Sequence, residues 1–156
     1  MMDGSRSRGF RCGGAVLAAL AVVASAGVSA QCLPEFKNGW IRIPPPGGMG
    51  MAAGFGQFHN GCAQPLKITA AKSSVFADVS LHETTQSNGV SRMRAVPELT
   101  LPVGKSVSLA PGGLHLMLMD PNAPLQEGAK VPVSFILQDG RQIKTTLEAH
   151  KRPPGD

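Results

Sequence analysis

The amino-acid sequence predicts an all-β domain, a β-sandwich or small barrel, on three observations. Short apolar or alternating runs recur along residues 39–148, and Gly, Pro and Asn separate them. Gly and Pro are abundant, at 19 and 13 of 156 residues, and no sustained helical periodicity is present. Charged residues make up only 16% of the chain, which excludes a disordered, highly charged protein. The length suits one ordinary domain.

Nine segments have the length and pattern of β-strands, and turn-forming residues bound each of them. They are Gly39–Ile43, Ala52–His59, Leu66–Ala71, Val75–Thr84, Val90–Val96, Ser106–Leu109, Leu114–Met119, Val131–Gln138 and Gln142–Glu148. Pro residues such as Pro97 and Pro102 are expected in loops or at sheet edges, because Pro has no N–H to donate to a neighbouring strand.

One hairpin can be assigned a register. Type I′ hairpin turns select Asn-Gly, because both central residues need positive φ, and this dipeptide stands at Asn88-Gly89. A two-residue turn there pairs Ser87 with Val90. It then places His82 and Met93 diagonally on one face, within reach of each other.

The first thirty residues are predicted to be a secretory signal, with cleavage after Ala30. A basic start is followed by an apolar run over residues 13–28 and by small residues at Val28-Ser29-Ala30. The alternative is a retained N-terminal anchor. Lipid attachment at Cys32 is not expected, because Gln31 is not the small residue that should precede it. We therefore expect a soluble, exported, periplasmic protein with one domain over residues 31–156.

The charge of that exported segment argues against nucleic acid as a partner. It has 12 Lys or Arg and 9 Asp or Glu, a net charge of +3 without clustering. No other hydrophobic run is long enough to span a membrane, so no stable membrane insertion is expected after cleavage.

Two cysteines remain after the predicted cleavage, Cys32 and Cys62. An even number in an exported chain favours a disulfide, and the alternative is a thiolate metal site. Their spacing is not Cys-x-x-Cys, so no thioredoxin-like motif is present.

Side-chain alternation places the remaining chemistry on strand faces. In the fourth predicted strand, Val75, Ala77, Val79 and Leu81 form the expected core face, and Phe76, Asp78, Ser80, His82 and Thr84 form the other. In Leu114–Met119, the three leucines share one face, and His115 and Met117 project side by side from the other. Met49, Met51 and Met119 are interpreted as hydrophobic filler, and His59 and His150 as surface or loop residues.

Four donors can therefore converge: His82, Met93, His115 and Met117. Thioether sulfur is soft and uncharged and favours Cu(I) over Zn²⁺, Mg²⁺ or Ca²⁺. A blue-copper electron-transfer site is not expected, because it needs a Cys thiolate beside its histidines. No Ser/His/Asp or paired-carboxylate arrangement stands out, so the protein is not expected to be an enzyme.

The spacing His82-x10-Met93-x21-His115-x-Met117 resembles the motif of the periplasmic copper chaperones called PCuAC. The segments LHETTQSNGVSRMR (81–94), LAPGGLHLMLM (109–119) and LQEGAKVPVSFIL (125–137) also look like this family. The resemblance covers about residues 38–148.

The resemblance implies a cupredoxin-like Greek-key β-barrel or sandwich that holds one surface-exposed Cu(I) through the four motif residues. It also implies copper delivery to an oxidase assembly protein or oxidase subunit, for the copper centres of a cytochrome oxidase. The tail has only His150, so no second copper site is expected there. The alternatives are a periplasmic copper buffer for tolerance and a metal-free exported β-domain for adhesion or interaction.

Overall fold

The computed structural model describes residues 31–47 and 50–155, and these residues contain ten β-strands. These residues contain no helix, so the all-β class is confirmed, and none of them forms an apolar helix of membrane-spanning length. The secretory signal predicted over residues 1–30 lies outside the described residues. The strands are β1 (Glu35–Arg42), β2 (Met51–His59), β3 (Leu66–Ser73), β4 (Phe76–Ser87), β5 (Val90–Ala95), β6 (Leu99–Leu101), β7 (Ser106–Leu109), β8 (Leu114–Pro121), β9 (Lys130–Leu137) and β10 (Gln142–His150).

The strands form one sheet in the order β5-β4-β8-β2-β1-β10-β9-β3-β6, and β7 also pairs with β2. The first and last strands, β1 and β10, run parallel, whereas the pairs on either side of them are antiparallel. Most neighbours are distant in sequence, so the chain crosses repeatedly from one part of the sheet to another. Such non-sequential order is typical of Greek-key folds.

All nine predicted strands overlap an observed one. The tenth, β6, was not predicted, because its three residues are fewer than the four to eight that make a recognisable strand pattern. It lies between Pro97 and Pro102 and pairs only with β3, at the edge of the sheet.

One apolar core is formed by the inward face of the sheet. Its largest fully buried side chains are Phe58, Phe135, Ile41, Ile68, Leu101, Leu116, Leu118, Leu137 and Leu147. Trp40, Phe55 and Met117 are also buried but do not belong to this cluster. Strand β8 therefore carries buried side chains on both of its faces.

The predicted faces of β4 are correct in the middle of the strand and wrong at its start. Val79 and Leu81 are buried in the core as expected, but Ala77 is exposed and Phe76 is buried. Phe76 begins the strand directly after a turn in which the backbone N–H of Val75 donates to the hydroxyl of Ser73. At this corner the Phe76 ring packs into the core, although the alternation of side chains along the strand predicted that it would face outward.

The β4–β5 hairpin has the predicted turn and register. Asn88 and Gly89 both have positive φ, 52° and 74°, and Ser87 pairs with Val90. The ladder between β4 and β8 ends at the pair Glu83 and Leu114, so the tip of the hairpin extends beyond β8.

Cys32 and Cys62 form the predicted disulfide, with a Cα–Cα distance of 5.7 Å, and the alternative thiolate site is wrong. The loop that carries Cys62 is held by a fully buried asparagine. The side-chain amide of Asn60 donates to the carbonyls of Gln64 (2.9 Å) and Leu101 (2.8 Å), and its oxygen accepts from the Cys62 backbone (3.0 Å). The disulfide thus joins the N-terminal segment to a loop that already has fixed hydrogen bonds.

Replacing both cysteines by serine should lower the free energy of unfolding by about 2–4 kcal/mol, because a cross-link over 30 residues restricts the unfolded chain. Chemical denaturation with and without reductant measures the effect. Copper affinity should not change, since neither sulfur is available as a ligand in the oxidised protein. Alkylation of two thiols in protein purified without reductant would contradict the pairing.

Candidate metal centre

Strands β5, β4 and β8 carry the four predicted ligands on the face of the sheet opposite the core. His82 of β4 lies directly across from His115 of β8, and their ring centroids are 6.2 Å apart. Met93 of β5 is one strand further out and diagonal to His82, as the hairpin register predicted. Met117 lies two residues along β8 from His115, on the same face, and pairs with Ser80 of β4.

Met93 and His115 are already in contact: Sδ of Met93 is 3.3 Å from Nε2 of His115. The other ring nitrogen of His115, Nδ1, is 2.9 Å from the carbonyl oxygen of Gly113. A carbonyl can only accept, so Nδ1 carries the proton and Nε2 of the neutral ring has a lone pair. Two electron-pair donors therefore face each other with no proton between them, and a cation could bridge them.

A tight turn before β8 sets the position of the Gly113 carbonyl. The backbone N–H of Gly113 donates to the carbonyl of Ala110 (3.1 Å), and Gly112 has a φ of 81°. Pro111 followed by a glycine of positive φ is the pattern of a type II turn. The Gly113 carbonyl also accepts from the backbone N–H of Thr84 (3.0 Å). The same oxygen thus aligns β4 with β8 and orients the His115 ring.

His82 has a different set of hydrogen bonds. Its Nε2 is 3.2 Å from the hydroxyl of Ser80, which in turn is 3.3 Å from a carboxylate oxygen of Asp78. The ionised carboxylate accepts the hydroxyl proton, so the hydroxyl oxygen accepts from Nε2–H of His82. In this arrangement Nδ1 of His82 has the lone pair that a metal ion needs. Asp78 and Ser80 act through His82, in the manner of groups that orient metal-binding histidines.

The four side chains differ strongly in exposure. His115 and Met117 are buried, with exposed fractions of 7% and 9%, and His82 is half-buried. Met93 is 53% exposed. Solvent therefore reaches the group at Met93, while His115 and Met117 lie below the surface.

An aromatic cluster lies on β1 and β2, next to the strands that carry the predicted ligands. Trp40 of β1 and Phe55 of β2 are cross-strand partners with ring centroids 4.8 Å apart. The guanidinium of Arg42 lies over both rings, 5.6 and 5.3 Å from their centroids. Arg42 is the cross-strand partner of Ala53 in β2, and Ala53 in turn pairs with Met117 in β8. This cluster borders the ligand face on its β1 side.

The donor set is a mixed nitrogen and sulfur one. Within the described residues, no three His, Cys, Asp or Glu side chains lie together in a way that could hold a metal ion. The two imidazoles therefore need the thioethers of Met93 and Met117 to complete a set of four. Such a set suits a soft monovalent ion, since thioethers add no charge.

The remaining histidines lie elsewhere, and both are half-buried residues at the ends of β2 and β10, where surface or loop positions were expected. Nδ1 of His59 is 3.2 Å from the hydroxyl of Ser106, and His150 lies between the carboxylates of Glu127 and Glu148. Sequence patterns did not reveal the hydrogen bonds that orient the two predicted histidine ligands, which involve Ser80, Asp78 and Gly113. Asp78 and Ser80 could have been found from their alternation with His82, because residues i and i+2 of a strand share a face.

Comparisons with known proteins identify the family. The sequence profile of the family described as "Putative lipoprotein LpqE-like" matches residues 35–149. The chain belongs to the LpqE-like family. Among its relatives, "Putative lipoprotein Lxx21020" of Leifsonia xyli subsp. xyli is 36% identical over 68% of this chain. That match spans 63% of the relative's length, and a match to a Rickettsia prowazekii protein spans 64%, so the chain covers less than two thirds of these curated relatives.

Solved structures show which fold the chain shares. The solution structure of CuI-DR1885 from Deinococcus radiodurans is 29% identical, with a TM-score of 0.63 over 85% of this chain and 89% of that one. The copper-bound PCuAC domain from PmoF2 is 19% identical, with a TM-score of 0.60 over 75% and 92%. The latter likeness shows the fold alone. The resemblance to PCuAC proteins and the cupredoxin-like fold expected from the sequence are confirmed.

The pKa of His82 is lowered from the usual 6.5, first by burial and then by repulsion from His115, with the Asp78 carboxylate opposing. Between pH 6.5 and that lowered pKa, the unfolded chain binds a proton at this position and the folded chain does not. Stability of the metal-free protein should therefore fall as the pH decreases through this window, and His82→Gln should reduce that fall.

An NMR titration of the His82 ring is the direct measurement. Its midpoint is expected below 6.5, and it should rise in the His115→Gln variant, which removes the repulsion. A midpoint at or above 6.5 in the unsubstituted protein would contradict the assignment.

Proposed function

We propose that the protein is an exported Cu(I)-binding metallochaperone whose ligands are His82, Met93, His115 and Met117. The observation that carries the proposal is the contact between Sδ of Met93 and Nε2 of His115, at 3.3 Å, with the imidazole proton on the opposite nitrogen. Copper is the cargo of such a protein, which binds and releases it unchanged.

The chemistry of the donors favours Cu(I) over other ions. Two thioethers and two neutral imidazoles add no negative charge, so the bound ion keeps its single positive charge. Harder ions such as Mg²⁺ and Ca²⁺ prefer oxygen ligands. The similar solution structure of CuI-DR1885, 29% identical to this chain, supports copper as the ion.

The position of Met93 suits a carrier better than an enzyme. A carrier must release its ion to a partner, and the partner's ligands must reach the ion first. Met93 is the exposed ligand and belongs to the edge strand β5, all of whose residues are exposed. A partner could therefore replace Met93 in the first step, while the buried pair His115 and Met117 still holds the ion.

Export to the periplasm is part of the proposal, and it rests on the signal predicted over residues 1–30. The disulfide between Cys32 and Cys62 supports it, because disulfides persist in oxidising compartments. The family description contains the word lipoprotein. In this chain the sulfur of Cys32 is bonded to Cys62 and is not available for a lipid thioether.

Removing a ligand tests the proposed site. Met93→Ala and His115→Ala should each lower the affinity for the most tightly bound Cu(I) by at least tenfold, because the ion loses one of four donors. The matched control is Met119→Leu, which alters the same face but not the proposed ligands, and its effect should be below threefold. Anaerobic competition with a Cu(I) chelator measures all three, and an unchanged affinity in Met93→Ala would rule out the assignment.

The recipient is proposed to be a cytochrome oxidase or its assembly protein. Deleting the gene should lower oxidase activity at limiting copper, and added copper should restore it. The unsubstituted gene should complement the deletion, whereas a Met93→Ala, His115→Ala gene should not. Normal oxidase activity with increased copper sensitivity would favour the buffer, and neither effect would favour a metal-free interaction domain.

A further inference from the structure

Two more methionines, Met51 and Met119, lie on the face of the sheet that carries the proposed ligands. Met119 is two residues beyond Met117 along β8. Met119 of β8 is paired directly with Met51 of β2 on one side and with Asp78 of β4 on the other. Directly opposed residues in a sheet have Cβ atoms about 4.5–5.5 Å apart, and a methionine side chain is long and flexible. The two thioether sulfurs can therefore approach the same ion.

These methionines are not filler of the main core, contrary to the interpretation from the sequence. Both are half-buried, and neither belongs to the core cluster or to the side chains that pack against it. Met51 also borders a cavity of about 210 Å³ that Pro44, Pro121 and Leu125 help to line. Both side chains thus have partial solvent access, and Met51 has free space beside it.

We propose that Met51 and Met119 form a second and weaker Cu(I) site, adjacent to the first. Thioethers select a soft ion such as Cu(I), and the carboxylate of Asp78, the other direct neighbour of Met119, offsets its positive charge. The site is weaker than the first because it has two sulfur donors and no imidazole. The proposal uses the proposed function only in the choice of ion.

The location gives the second site a role. Residues i and i+2 of a strand are about 7 Å apart, so Met117 and Met119 are neighbours on the face. An ion that leaves the first site can reach the second by moving one row along β8. Asp78 has contacts toward both sites, since it accepts from Ser80, the partner of His82, and lies opposite Met119.

Anaerobic titration of the purified protein with Cu(I), against chelators of graded affinity, tests the stoichiometry. The unsubstituted protein should bind two equivalents, the second at least tenfold more weakly. Met51→Leu and Met119→Leu should each remove the second equivalent and change the first affinity by less than threefold. Leucine keeps the apolar volume, and thermal unfolding checks that both variants fold.

The reciprocal variant separates this proposal from the previous one. Met93→Leu should weaken the first equivalent and leave the second in place. If neither the unsubstituted protein nor Met93→Leu bound Cu(I) tightly, but both kept the weak equivalent, the proposed chaperone site would be overturned. The second site would remain supported.

NMR of methyl-labelled methionine in the unsubstituted protein provides a test without substitutions. The methyl signals of Met93 and Met117 should shift during the first equivalent of Cu(I), and those of Met51 and Met119 during the second. Absence of the weak equivalent from the unsubstituted protein, a weak equivalent that persists in the Met51→Leu, Met119→Leu double variant, or unshifted Met51 and Met119 signals would each overturn the proposal.

Discussion

The burial of β8 on both faces is the constraint on which the rest of the molecule depends. Leu116 and Leu118 point into the core, while His115 and Met117 point to the opposite face and are also largely buried. Because successive side chains of a strand alternate, a shift of one residue in the pairing would place His115 in the core and expose a leucine. Apolar burial on one face therefore fixes the position of the donors on the other.

The register of β8 is in turn coupled to the orientation of one proposed ligand, His115. The Gly113 carbonyl accepts from the backbone of Thr84 and from the ring of His115. The first bond is part of the strand pairing, and the second determines which imidazole nitrogen presents a lone pair. The turn at Pro111-Gly112 thus contributes to the chemistry of the site without touching an ion, because it holds that carbonyl in place.

The sequence could predict the parts of this structure that depend on local chemistry. Asn88-Gly89 determined the hairpin turn, and from it followed the diagonal placement of His82 and Met93. The pairing of Cys32 with Cys62 followed from their number and the expected compartment. The alternation of His115 and Met117 with leucines placed them on one face before any partner strand was known.

Features that depend on distant strands could not be predicted in the same way. The pairing of Met119 with Met51 requires β2 to lie beside β8, although the two strands begin at residues 51 and 114 and no local pattern records it. Strand β6 exists because β3 offers a partner, and its own three residues carry no signal. Phe76 is buried because a corner of the chain turns its ring inward, against the alternation of the strand that follows.

The two ends of the sheet are protected in different ways from pairing with another copy of the chain. At one end, β6 has only three residues, too few to template a long ladder. At the other end, β5 has six residues, but Arg92 and Arg94 stand on either side of Met93 and project from the opposite face. Arg94 forms an ion pair with Glu83 that offsets part of this charge, but charged side chains along an edge strand still disfavour self-association. The strand that carries the most exposed of the four proposed ligands can therefore stay open without becoming a starting point for aggregation.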